Sequence, residues 1–164
     1  MQAMIVLDQE NARFGYRVAA IIFDGARVLL QDDPSEHFWV LPGGRVEMLE
    51  PAEESLCREM REELGEEVCI ERLVWVVENF FEYQDISWHE MGLYFLASLP
   101  DSSPLPAGEG PLHTGYEDNG AKLVFQWHEL SALARLELYP TFLRGRLGSL
   151  PAATEHIVHR DGKP

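Results

Sequence analysis

Apolar positions along the chain fall into three patterns: unbroken runs, alternation, and recurrence at every fourth residue. Residues 16–23 are an apolar, β-branched run, which predicts a buried strand. Asp24-Gly25 predicts a tight hairpin turn, and 27–31 the returning strand. Phe38 to Leu41 predicts a short strand stopped by Pro42-Gly43-Gly44. Leu56, Met60 and Leu64 then recur in steps of four, one narrow apolar stripe on a helix running from Pro51 to Leu64. Pro51 suits its first turn and Gly65 its end. Val68 to Phe81 predicts a strand with a bend, and Met91 to Leu99 and residues 122–127 predict further strands. Between them, 100–120 is dense in Pro, Gly and Ser, a long loop of the kind that often carries function. Short helices are predicted at 129–134 and 140–147, and a final edge strand at 154–159. Strands predominate around one prominent helix, so the expected class is α+β, layered as an α/β/α sandwich.

Composition narrows the picture. The 164 residues suit one domain spanning 1–164, and 46% hydrophobic with 25% charged residues is ordinary globular usage. No apolar run approaches the ~20 residues that cross a bilayer, so no membrane is expected. The first residues lack a basic and then apolar leader pattern. Cys57 and Cys69 form no metal-binding pair, and both fall in apolar-periodic segments. They are expected to be buried free thiols, in keeping with a reducing cytoplasm. The formal charge of −15 is the wrong sign for coating a nucleic-acid polymer. It still permits a phosphate compound if cations bridge the two.

That charge concentrates after the Gly-Gly turn. Glu59, Glu62 and Glu63 stand at i, i+3 and i+4, one face of a helix. Arg58 can reach Glu62 one turn on. A solvated helix face would also look acidic. Clustering on one face directly after a turn of close backbone approach points instead to a hard divalent cation, which takes oxygen ligands and completes its shell with substrate phosphates.

The spacing resembles the Nudix hydrolase box, G-x5-E-x7-R-E-U-x-E-E-x-G-U, in which U is bulky and apolar. Gly44, Glu50, Arg58, Glu59, Glu62, Glu63 and Gly65 supply all seven fixed residues, and Met60 the first U. At ordinary residue frequencies a random window matches all seven on the order of once in 10⁸ to 10⁹. Two positions depart from the pattern: Glu66 holds the final U position, where Val68 is expected to supply the packing, and Leu49 sits where glycine is frequent. The strand and turn segments from about 16 to 148 also resemble the family's, in order.

The resemblance implies the Nudix fold, with a central mixed sheet and a catalytic loop–helix–loop. It implies a MutT-like pyrophosphohydrolase that uses Mg²⁺ or Mn²⁺ to cleave a nucleoside diphosphate linked to another group. Nucleoside triphosphates, dinucleoside polyphosphates and nucleotide sugars are the candidate substrates. By motif position, Glu59, Glu62 and Glu63 are the implied metal ligands, with the Gly44 carbonyl beside them. Glu50, Arg58 and Gly65 are structural members of the box. Glu47 is a candidate water-mediated ligand. Glu117, or Glu109 in the same loop, is the candidate further ligand or base. His89 and Glu90 are the other place for a base, with a structural hydrogen bond the competing role for His89. Arg17, Trp39 and Tyr83 are candidate substrate contacts. Gln31 stands where many relatives carry a phosphate-binding Arg. Of Phe80 and Phe81, strand alternation allows only one to face inward. The implied partner is a small nucleotide, with a homodimer as the family's frequent assembly. The competing reading is a non-catalytic nucleotide-sensing Nudix module, and the intact glutamates argue against it.

Overall fold

The computed structural model describes residues 3–32, 34–116 and 120–162. Ten strands form one mixed sheet, interrupted by a single long helical segment. In chain order the strands are β1 (Val6–Gln9), β2 (Ala12–Asp24), β3 (Arg27–Asp32), β4 (Trp39–Val40) and β5 (Gly43–Arg45). After helix α1 (Ala52–Glu59) come β6 (Cys69–Tyr83), β7 (Ile86–Ser98), β8 (Pro111–Tyr116), β9 (Lys122–Glu129), helix α2 (Leu143–Arg146) and β10 (Glu155–Arg160). Their order across the sheet is β10-β6-β7-β2-β3-β9-β8, with β1 and β5 also paired to β2, and β4 to β3. β2 runs parallel to β7 and β10 parallel to β6, while the other pairs are antiparallel.

β2 carries the core on both faces from Val18 to Ile22, as its apolar run predicts. Val18, Ala20 and Ile22 pack toward Leu56, Met60 and Leu64 on the α1 side. Ala19 and Ile21 pack toward Leu133, Leu138, Leu143 and Leu147 on the other. The layering is therefore helix, sheet, helix. Val68 joins the α1-side core in place of Glu66, whose carboxylate accepts a 2.8 Å hydrogen bond from the Ser103 hydroxyl.

Several elements run beyond their predicted ends. β2 begins at Ala12, and β7 at Ile86 rather than Met91. The β6–β7 hairpin extends past the core and turns at Gln84-Asp85, both at positive φ (51° and 61°). His89 and Glu90 consequently lie within a strand, not before one. The 100–120 loop contains a 3₁₀ turn at Leu105–Ala107 and all of β8. The predicted 140–147 helix is regular only over α2, and a 3₁₀ helix occupies Leu130–Arg135. The thiols also differ from expectation. Cys69 is exposed because it opens β6 at the sheet margin, and Cys57 is half-buried.

The predicted helix is α1 followed by a wider π turn, Met60–Leu64. The Gly65 and Glu66 N–H groups both donate to the Met60 carbonyl. Gly65, at φ 76°, then reverses the chain in the left-handed conformation that glycine adopts without strain. π turns inside α-helices gather at functional sites.

Candidate active site

β5 and α1 meet at Gly44. That residue pairs with Val18 on β2, and a Cβ placed on it would lie 2.2 Å from the Glu59 carboxyl carbon. The Glu59 carboxylate thus fills the space a side chain would take, and is itself 8% exposed. Arg58 fixes the surrounding loop. It donates to both Glu50 oxygens at 2.8 and 3.0 Å, a two-pronged pair, and to the Arg45 carbonyl at 3.3 Å. Its remaining nitrogen donates to Glu59 at 2.8 Å and Glu62 at 3.2 Å. Leu49, on the same loop, holds φ 67° and is 91% exposed.

These contacts shift the titrations. The Arg58 hydrogen bond holds the Glu50 carboxyl below its usual range, and the same contact pushes the Arg58 guanidinium up. Burial pushes the Glu59 carboxyl up against the pull of Arg58 and Arg17. Glu63 is buried, and β8 backs onto it, since a Cβ on Gly115 would stand 2.2 Å from the Glu63 carbonyl oxygen. The Glu62 side chain is half-exposed.

Among the described residues, no three of His, Cys, Asp and Glu converge into a ready-made metal cage. Arg58 accounts for this at Glu59 and Glu62, because its guanidinium sits between them. The donor set nevertheless fits a hard divalent ion: carboxylates and a backbone carbonyl, with glycine admitting the closest carboxylate. Glu59, Glu62, Glu63 and the Gly44 carbonyl are the groups that would hold it.

A cavity of about 460 Å³ lies on the opposite face of the sheet, bordered by Arg17 and Arg45 at the Gly44 end. Arg17 donates to the Leu41 carbonyl at 3.2 Å and is near enough to influence both Glu59 and Glu90. Phe38, Tyr83 and Tyr139 form an aromatic wall with edge-to-face ring centroids 5.6 and 6.3 Å apart. Phe81 and Trp88 stack in parallel at 5.7 Å and also line the cavity. Phe80 points to the other face, stacked on His89 at 4.4 Å, which places His89 away from the cavity.

The candidate contacts therefore divide. Arg17 and Tyr83 line the cavity. Trp39 packs its ring against His128 at 4.3 Å, and Phe38 takes the wall position. Glu47 is half-buried beside the box, its N–H donating to Glu50. Glu109 is an exposed loop residue. Glu117 lies outside the described residues.

The sequence profile of the NUDIX domain matches residues 13–144. The chain belongs to the Nudix family. Solved structures agree at the level of fold. A crystal structure of an ADP-ribose pyrophosphatase from Streptococcus suis is 18% identical over 88% of this chain and 98% of that one, with a TM-score of 0.58. A mutator MutT protein from Bacillus halodurans is 20% identical over 87% and 89%, at 0.56. A UDP-X diphosphatase is 19% identical over 91% and 69%, at 0.60. No curated protein matches at a significant level. As a Nudix hydrolase the chain acts on phosphoric anhydride bonds, and its substrates are small nucleotide compounds. No helix among the described residues is long and apolar enough to cross a membrane.

Reading the sequence of this Nudix protein missed the polar lining of the cavity: Arg45, Asn79, Asp161 and the inward face of Glu90. One clue was present. Asn79 shares alternation with Val77 and Phe81 inside an apolar run, so a buried amide could have been read there.

Proposed function

We propose that this protein is a divalent-metal-dependent pyrophosphohydrolase that cleaves a nucleoside diphosphate linked to another group. The observation that carries the reading is the Glu59 carboxylate seated against Gly44 and tied through Arg58 to Glu50. Mg²⁺ or Mn²⁺, when bound, neutralises the phosphate oxygens and activates water for attack on phosphorus. Glu59, Glu62 and Glu63 supply the negative charge that holds the ion. Arg17 and Arg45, at the adjoining end of the cavity, draw in the phosphate chain, and the aromatic wall excludes water from the remainder of the substrate. Glu117 serves as the further ligand or base. The two free thiols suit a reducing cytoplasm.

The purified protein should be assayed with Mg²⁺ or Mn²⁺ against nucleoside triphosphates, dinucleoside polyphosphates, nucleotide sugars and ADP-ribose. One class should turn over, and added chelator should stop it. A Glu62→Gln, Glu63→Gln double variant should keep its circular dichroism spectrum and lose metal-dependent hydrolysis. Full activity in that variant defeats the mechanism.

A further inference from the structure

Glu90 and Asn79 are direct cross-strand partners on β7 and β6, and both line the cavity. The Asn79 side chain reaches the Glu90 carboxyl; burial pushes that carboxyl up, and Arg17, Arg45 and Asn79 pull it back toward the ionised form. Facing a carboxylate, which only accepts, Asn79 turns its NH₂ toward Glu90. That leaves the Asn79 Oδ1, a buried acceptor with no protein donor, on a side chain 5% exposed. Two adjacent acceptors therefore belong to one side of the cavity. Leaving a buried acceptor unmet is costly, and a ligand supplying two neighbouring N–H groups would satisfy this pair.

The surrounding floor is flat and aromatic. Gly15 stands opposite Glu90 on β2, and the Trp88 ring lies 3.4 Å from where a Gly15 Cβ would be. Gly92, two residues along β7, is covered in the same way by the Tyr94 ring at 2.6 Å. Trp88 also carries a buried Nε1 without a protein acceptor, on the same strand face as Glu90. The chemistry requested is thus a planar ring with two adjacent N–H donors and a neighbouring acceptor.

Among the common nucleobases only guanine has such an edge: N1–H beside N2–H₂, with O6 following. Adenine and cytosine place one amino group beside a ring acceptor, and uracil flanks one N–H with two carbonyls. Building on the nucleotide reading above, we propose that Glu90 and Asn79 select a guanine-type base, with Trp88 Nε1 donating to its O6. Arg17, opposite Gly92, and Arg45, paired with Arg17 and 5.2 Å over the Trp88 ring, stand next along the strands between Glu90 and Gly44, so the phosphates point toward Gly44. Glu90 is on this assignment a specificity residue, separate from the metal-binding glutamates.

The test is calorimetric titration of the intact protein, without divalent ion, with GMP, AMP, CMP and UMP. GMP should bind about 10- to 100-fold tighter than the others, the discrimination expected of one good two-pronged base contact. Glu90→Gln presents a donor to N1–H, and Asn79→Leu removes an acceptor. Each should erase the preference while the circular dichroism spectrum stays that of the unaltered protein. Equal affinities in the unaltered protein, or no binding of any of the four at millimolar concentration, overturn the assignment. So does a GMP preference that survives both substitutions. Because metal and hydrolysis are absent, a clear GMP preference in a protein that turns over no nucleotide would sink the proposed hydrolase activity and leave the base assignment standing. Turnover without base preference would do the reverse.

Discussion

At the scale of single residues, adjacent glycines carry different loads. A Cβ on Gly43 would stand 2.0 Å from the Val18 carbonyl oxygen and 2.8 Å from the Ala19 Cα, both backbone atoms of β2. Those atoms cannot yield without breaking the β2–β5 pairing. Gly43→Ala should therefore destabilise the fold by about 1–3 kcal/mol or more, read as a lower urea midpoint. The three atoms nearest a Cβ on Gly44 all belong to the carboxylate of Glu59. That side chain can swing, but it then leaves its place against Gly44. Gly44→Ala should keep its urea midpoint close to that of the parent protein and lower metal-stimulated turnover about 10- to 100-fold, the loss typical of displaced supporting groups at a metal site. Arg58→Lys tests the same corner by another route. Lysine cannot span both Glu50 oxygens and Glu59 at once, so a comparable fall in Mn²⁺ affinity is expected by titration.

At the scale of elements, the helix was legible because three apolar residues at fourfold spacing leave one arrangement that buries them all. The π turn was not. It needs no special residue between Met60 and Leu64, and its hydrogen bonds are decided where the chain leaves the helix. Gly65 is the residue that decides. Nothing lies within 4 Å of a Cβ there, so its left-handed φ of 76° is the sole constraint. Gly65→Ala should cost about 1–2 kcal/mol in urea unfolding, the ordinary penalty for a side chain in that conformation. Strand ends were legible only where burial enforced them. The outer part of the β6–β7 hairpin carries Glu82, Gln84, Asp85, Ser87 and His89, which read locally as loop. Its pairing is set by the turn at Gln84-Asp85 and by the neighbouring strand β2, both long-range facts. β8 was hidden for the opposite reason, since its short run follows Gly108 and Gly110, begins at Pro111 and contains Gly115.

At the scale of the whole molecule, the sheet separates two jobs. One face holds α1 and the acidic box, whose members stand at fixed intervals in the sequence because one helix and the loop before it carry them all. The other face holds the cavity, whose polar residues come from β2, β5, β6, β7 and the chain end, with no interval to link them. Asp161 shows why such a residue escapes a local reading. It follows β10, yet it accepts hydrogen bonds from the Thr141 N–H at 3.0 Å and the Thr141 hydroxyl, and pairs with His159 at 2.9 Å. It thereby fastens the last strand to the segment before α2, at the cavity wall. Burial pushes the Asp161 carboxyl up, but the Thr141 and His159 contacts outweigh it and leave it below its ordinary 3.8. A carboxyl depressed in the folded state stabilises the fold above its unfolded value, and that stability is lost as pH falls through the folded value. Asp161→Asn should therefore lower stability at neutral pH by about 1–3 kcal/mol, the worth of hydrogen bonds to a charged group. The gap between parent and variant should stay level down to about pH 5 and close below about pH 4. Urea midpoints measured across that range check it, and a gap that widens on acidification would show that the carboxylate does not hold the two segments together. Since the same residue borders the cavity, the variant should also bind nucleoside monophosphates more weakly at neutral pH. Its affinity should approach that of the parent protein in acid, where both have lost the clamp.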